Sequence, residues 1–420
     1  MHTADIVVIL LYFAALLVIG YLSGKKQHDA ETFLLGSKRL GVLPICALWM
    51  SSWIGGSSVV GTASNAHAGG ISGMWYLIAV SISCLLFGLV MAVPAKRTAS
   101  RLKSVTLTDM LESRYDARCQ IMAAVCSACS STAYTVAQYV SGAAILSVMT
   151  GWDYGLCYVI TVAVILFVTC GGMKAITSTD NLQMALLLIG IIILGPIMIT
   201  RYLVHGGYSL AQLPADFLRP TNGTNTGSML ALALSTIMCI FVSMDSYTRC
   251  IAARNAKSAR RGAVLAALGC LLLGASATYM GLAGKVALPD IDSNSCVAAA
   301  IVHFFPSGLL LVGVICAIIS SADILILVGA ANLCNDIYQR HINPGAGGKK
   351  FLHMNTGASI LVGLAAAVLG WRSNNSIDIL LVSYTINAAG CSCPWSAHFS
   401  GAGAALRPRL HPCSARRSCA

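Results

Sequence analysis

Charge is what this sequence has least of. Asp, Glu, Lys and Arg make up only 10% of its 420 residues, against 57% apolar. A soluble domain carries roughly a quarter charged residues. A water-exposed surface of ordinary extent cannot be assembled from that supply. This excludes a cytosolic enzyme, a soluble α/β fold and a disordered chain. Acidic residues are scarcer than basic ones, 15 against 27, which leaves a net charge of +12. The basic residues sit in short clusters between long apolar runs. That is the layout of a polytopic membrane protein and not of a nucleic-acid binder. The expected surroundings are a lipid bilayer, and no nucleic-acid partner is expected.

Catalytic and nucleotide-binding signatures are also missing. The Gly284–Lys285 and Gly348–Lys349 pairs lack both the leading Gly and the following Ser or Thr of a phosphate loop. No H-E-x-x-H or G-x-S-x-G occurs, so protease and lipase chemistry have no candidate residues. The chain reads as no enzyme, with no catalytic residue and no cofactor. Cysteine, by contrast, is plentiful at 17 residues. Cys84, Cys126, Cys157, Cys170, Cys239, Cys270 and Cys316 lie inside apolar runs, where cysteine acts as a small hydrophobe. The pair Cys126 and Cys129 has no partner pair at metal-ligand spacing, so packing is the favoured reading.

A helix needs about 20 apolar residues to cross the hydrocarbon core. On that rule eleven spans are expected, near 6–22, 43–62, 73–93, 120–149, 154–169, 181–200, 229–246, 263–282, 308–330, 358–371 and 377–389. No positive segment precedes the first and no small-residue cleavage site follows it, so it is not read as a cleaved signal. The odd-numbered connections hold 19 Lys and Arg and the even-numbered ones 4, the other four lying beyond residue 400. Because cytoplasmic loops concentrate positive charge, the odd connections are assigned to the cytoplasm and the N-terminus to the outside. The expected location is the cell membrane, as a multi-pass protein.

With ATP hydrolysis lacking its loop, transport, sensing and structural assembly remain. Carriers place their sites at midplane breaks in helices rich in Gly and small polar residues. The second span has such a segment, Met50-Ser51-Ser52-Trp53-Ile54-Gly55-Gly56-Ser57-Ser58. It reads equally as an unwound, oxygen-offering backbone or as a small-residue packing face. The ninth span carries Ala317-Ile318-Ile319-Ser320-Ser321-Ala322-Asp323. Two hydroxyls and a carbonyl one turn earlier suit a desolvated small cation. The competing reading is that each serine bonds a carbonyl of its own helix. Asp323 tilts the balance towards function, because an intramembrane carboxylate is costly. Asp180, at the start of the sixth span, has an adequate reading as a solvated or helix-capping residue. Asp245 and Arg249 stand four apart, the spacing of an ion pair on one helix face, structural or coupling in role.

Together these segments resemble the sodium/solute symporter family, which includes sodium-coupled sugar, proline and pantothenate carriers. The resembling stretches are Trp53 to Ala63, Gly171 to Gln183, Asp245 to Arg261, and Ala317 to Asp323 running on to Asn335-Asp336-Ile337-Tyr338. They occur in family order, and the similarity spans residues 5 to about 390. The resemblance implies an all-α, leucine-transporter-like fold. Ten core helices would form two inverted five-helix repeats behind an extra N-terminal helix. It implies a sodium ion, as co-transported substrate, held by the carbonyls of Ser51, Ile54 and Ala317 and the hydroxyls of Ser320 and Ser321. Asp180 matches an acid implicated near the intracellular sodium exit. Ile324 departs from the Ser often found after Ala-Asp. The solute would bind near the midplane, beside the second, third, seventh and eleventh spans, with Gly56 and Ser57 nearby.

The expected function is sodium-coupled symport of a small organic solute by alternating access. The alternatives are a membrane sensor module and a transport-defective truncated remnant. Residues 1–390 read as the transmembrane domain, whereas 391–420 form a basic, Cys- and Pro-rich tail unlike any earlier loop. A frameshift near codon 390 would produce that change and would truncate the last core helix. A genuine cytoplasmic tail is the other reading.

Overall fold

The computed structural model describes residues 40–102, 106–112, 117–169, 172–291, 309–343 and 348–372, with the short pieces 11–12, 14–15, 18, 293, 296–297, 300, 379–380 and 382–388. Among the described residues the apolar runs are helical, and the one β contact is an isolated bridge between Leu40 and Ala253. Five helices there are long and apolar enough to cross a bilayer, and a bent pair makes a sixth crossing. Two shorter apolar helices, Val42–Trp53 and Tyr154–Thr169, add to these. Each expected span from the second to the tenth falls on a helix. Most of the first span, part of the eleventh and the whole tail 391–420 lie outside the described residues.

The second span is two helices, α1 (Val42–Trp53) and α2 (Gly56–Gly69). Pro44 stands in the first turn of α1, where its missing N–H breaks no helical bond. Ile54 then leaves the helix (φ −110°, ψ 82°), and Gly55 is extended (φ −93°, ψ 173°). A 3-10 turn, Gly70–Met74, leads into α3 (Trp75–Val90). Gly70 has φ 87° and lies against the Phe217 backbone, so both its conformation and its space call for glycine.

Three helices follow: α4 (Ala92–Leu102), α5 (Leu107–Glu112) and the 34-residue α6 (Ala117–Thr150). Then come α7 (Tyr154–Thr169) and α8 (Gly172–Leu187). The sixth span is not a uniform helix. A π segment, Leu188–Leu194, separates α8 from α9 (Gly195–His205), whose first turn contains Pro196. A proline there cannot donate into the ladder, so a carbonyl is released. Ser276 takes up a carbonyl at this point, its Oγ donating to Ile191 O at 2.5 Å.

The seventh span is the bent pair α10 (Thr226–Val242) and α11 (Met244–Ala252), which meet at 47°. The Asn225 side chain caps α10 by accepting the Ser228 N–H at 2.7 Å. Next, α12 (Ala256–Ala287) is 32 residues long. Its Gly262, Gly269, Gly274 and Gly281 press against Ile45, Met50, Leu77 and the Ala63 carbonyl. Small residues let α12 approach α1, α2 and α3 closely, which replaces the hydrophobic drive that lipid does not supply. The ninth span, α13 (Leu309–Ala331), is buried along most of its described length and runs on as a π segment, Asn332–Ile342. It is followed by α14 (Gly348–Gly370) and by helical residues of the eleventh span at 382–388. The main core joins side chains of α1, α3, α6, α12 and α13.

Candidate functional site

The break between α1 and α2 frees backbone groups at depth, and each needs a partner. Helix α6 supplies two. Gln138 Oε1 accepts the Gly56 N–H at 3.0 Å, and the Tyr134 hydroxyl donates to Ser52 O at 3.0 Å. Side-chain space is closed here: a methyl on Gly55 would meet Gln138, and one on Gly56 would meet Ile318. Both readings of this segment therefore hold, because it is an unwound backbone and also a close packing face. The Ser57 side chain lies outside what is described.

Helix α13 brings Ser321 to the break. Its Oγ lies 2.5 Å from Ser51 O and 3.1 Å from Ile54 O, so one hydroxyl proton is shared between two carbonyls. Residues 270 and 267 positions apart in the chain meet there. Ser320 takes the self-bonding option instead, its Oγ donating to Ala317 O at 3.4 Å. All five residues Ser51, Ile54, Ala317, Ser320 and Ser321 are buried; Ser321 is the one of the α13 three that hydrogen-bonds to the break.

Two carboxylates adjoin it. Asp180 sits well inside α8, is 1% exposed, and accepts the Ser51 hydroxyl at 3.0 Å. This overturns the reading of Asp180 as a solvated or capping residue at a helix start. Its second oxygen, Oδ1, has no hydrogen-bond partner. Asp323, two residues beyond Ser321, is fully buried and accepts the Thr169 hydroxyl at 3.0 Å, while Oδ2 has no partner. Among the described residues no basic side chain hydrogen-bonds to either acid. Desolvating an unpaired carboxylate costs several kcal/mol, a cost that either a proton on the acid or a bound cation offsets.

The expected Asp245–Arg249 pair is present and buried, at 2.7 Å between Oδ2 and Nη1. Arg249 Nε also donates to Leu48 O at 2.6 Å, and its guanidinium stacks over Trp49 at 5.4 Å. These contacts bolt α11 to the end of α1 that precedes the break. On the same face Leu40 pairs with the chain at Ala252–Arg254, and Lys96 Nζ donates to Ile251 O at 2.7 Å.

A small central cavity of about 20 Å³ lies beside the break. It is lined by Trp53, Tyr134, the hydroxyls of Ser130 and Ser383, Tyr384 and Asn387, and reaches Asp245. About one water fills that volume, so an organic solute requires the helices to separate. Gly56 is not part of the lining. A second, larger hollow of about 410 Å³ opens at the face carrying Asn65, Trp75, Asn222 and Thr224. Between the two stand Tyr76 and Tyr384, hydroxyl to hydroxyl at 2.7 Å. Trp53 and Tyr134 back Tyr384 edge-on, with ring centroids 6.0 and 5.8 Å away. Sequence reasoning missed Tyr76, Tyr134, Ser383, Tyr384 and Asn387. The one available signal was the i, i+4 spacing of Ser383 and Asn387 on the short eleventh span.

A broken helix met by a serine hydroxyl, two buried acids without a basic hydrogen-bond partner and a small cavity between the helices are the parts of an ion-coupled membrane carrier. The comparisons with known proteins give the particular kind: residues 33–399 match the model of the sodium:solute symporter family, and the chain belongs to that family. It is 25% identical over 399 residues to the high-affinity proline transporter PutP of Bacillus subtilis, covering 90% of this chain and 82% of that protein. The sodium/pantothenate symporter of Escherichia coli is 25% identical over 338 residues, covering 74% and 68%. In fold, the chain resembles a Na+-coupled sialic acid symporter solved in a substrate-bound, outward-open state. That match has a TM-score of 0.77 at 17% identity, over 93% of this chain and 87% of the other.

Proposed function

We propose that the chain is a sodium-driven carrier of a small organic solute, working by alternating access. The observation that supports this most directly is Ser321 spanning the Ser51 and Ile54 carbonyls. The ion, as cargo, would sit between the α1–α2 break and α13. Its ligands would be the carbonyls of Ser51, Ile54 and Ala317 and the hydroxyls of Ser320 and Ser321. To ligate it, Ser321 must turn its proton away from the two carbonyls and offer a lone pair. The ion then replaces the bridging hydrogen as the tie between α1 and α13. Asp180 would take the ion on its way out, since its carboxylate already holds Ser51.

The 19-to-4 charge asymmetry supports an N-terminus outside, with the large hollow on the outer face. Tyr76 and Tyr384 would then close the outer path, and the Asp245–Arg249–Leu48 bolt the inner one. Sodium favours whichever state completes its ligand set, because a ligand shifts a conformational equilibrium only by its differential affinity. In this reading residues 1–390 are one transport domain, and the ten helices after the first form two inverted repeats. Among the described residues Asp245 is the one acidic or basic side chain lining the central cavity, and it is paired with Arg249. That lining suits an uncharged or zwitterionic solute. The test is uptake of labelled amino acids, sugars and carboxylates into proteoliposomes with and without an inward sodium gradient. Sodium-stimulated uptake of at least one is expected. Equal uptake in sodium, potassium and choline media for every solute would end this reading.

A further inference from the structure

We propose that the basic ends of α4 and α12 bind the headgroups of anionic phospholipids. That these lipids belong to the inner leaflet rests on the orientation proposed above; the binding itself does not.

Two packed helices build the surface. Helix α4 buries Ala92, Ala95 and Ala99, the stripe of an amphipathic helix. Arg97 and Arg101, four apart and off that stripe, are exposed. Helix α12 opens with Lys257, Arg260 and Arg261 exposed, while Ser258, Ala259 and Gly262 turn inward. The spacing i, i+3, i+4 puts these three cations on one face. Helix α4 packs against both α12 and α11, and Lys96 Nζ fastens it to α11 by donating to Ile251 O at 2.7 Å.

The five exposed cations have no counter-charge of their own. Residues 75–102 and 246–288 contain no Asp or Glu. Among the described residues no ion pair engages Arg97, Arg101, Lys257, Arg260 or Arg261. Membrane topology by itself asks only that basic residues lie on the inner side. Here they also stand next to apolar side chains that face out of the bundle. Leu89 and Val90 are exposed at the end of α3, and Leu265 and Leu268 are exposed one to two turns into α12. A methyl on Gly88 would meet Ala263 and Val264, so these two helix ends lie at one depth.

A phospholipid has the matching build, with acyl chains beside the leucines and a phosphate at the cations. Arg offers that phosphate two parallel N–H donors, and each cation near an anionic lipid surface raises affinity about fivefold. An acidic protein segment would use the charges and leave the apolar band beside them without a role.

The test uses the full chain in a neutral detergent and sodium-free KCl buffer, with melting temperature followed as lipid is added. Phosphatidylglycerol should raise it and phosphatidylcholine should not. The variant Arg97→Gln/Arg101→Gln/Lys257→Gln/Arg260→Gln should need about ten times more phosphatidylglycerol, or still more, for the same shift. Arg201→Gln, a control on the opposite side of the membrane, should respond like the parent. About 1 M KCl should weaken the response of the parent, because the Debye length falls to about 3 Å. A parental response in the fourfold variant overturns the proposal, as does equal stabilisation by phosphatidylcholine or by inorganic phosphate. If the fourfold variant does not purify, a parental lipid response that ignores KCl overturns it equally. Detergent has no leaflets and the buffer no sodium. A reversed orientation or a failed cation site would therefore leave this result standing.

Discussion

Replacing Ser321 by Ala removes one oxygen from the point where α1, the break and α13 meet. The ion-bound form loses a ligand, comparable with a lost hydrogen bond to a charged group, about 1.5–3 kcal/mol. The ion-free form also loses something, because the hydroxyl there bonds Ser51 O at 2.5 Å and Ile54 O at 3.1 Å. A neutral buried bond of that kind contributes about 0.5–1.5 kcal/mol. The sodium requirement reports the difference between the two losses, roughly 1–2 kcal/mol, or a factor of about 5–30. The ion-free protein should melt at a lower temperature as well, since two carbonyls at the break lose their donor. Ser320→Ala should show a smaller drop in melting temperature, because its hydroxyl reaches only Ala317 O, at 3.4 Å. The measurements are initial uptake rates across a sodium titration in proteoliposomes, paired with melting curves in detergent. An unchanged sodium requirement in both serine variants would refute the site. A lowered melting temperature alone would mean that the hydroxyls are structural glue.

Three further outcomes follow from the same geometry. In a background without native cysteines, Ala68→Cys, which is exposed, should react with an impermeant thiol reagent added outside, and Arg101→Cys should not; the reverse pattern would invert the orientation. Tyr384→Phe deletes the hydroxyl contact with Tyr76, about 1 kcal/mol, so a Ser130→Cys probe in the central cavity should label about fivefold faster from outside. Unchanged labelling would show that these tyrosines do not close the path. Asp245→Ala leaves the Arg249 charge buried without its partner, which costs about 3–5 kcal/mol, and should sharply reduce the yield of monodisperse protein; a parental yield and melting curve would contradict the buried pair.

Much of the fold was legible before any coordinates. Apolar runs of membrane-spanning length and the avoidance of those runs by Lys and Arg are properties of the linear chain. The bilayer acts on them one segment at a time, and the helices appear where the runs lie. The break at Ile54–Gly55 was legible only as one of two equal readings, since adjacent glycines and serines weaken a helix and also make a close packing face. The Asp245–Arg249 pair was fixed by helical spacing, which needs no third partner.

What pairs with what across the bundle was not legible. Nothing at Ser51 names Ser321, 270 residues on, as its partner. Nothing at Asp180 shows that it is buried against Ser51 and not capping a helix in water. Gln183 reaches Tyr12 across 171 residues only because their helices pack together, and Tyr76 reaches Tyr384 across 308 residues. Hydropathy and charge decide which segments enter the membrane, through each segment's own exchange with lipid and water. Which face of each helix turns inward is decided by packing small residues against large ones throughout the bundle, so the ion's surroundings exist only in the assembled structure.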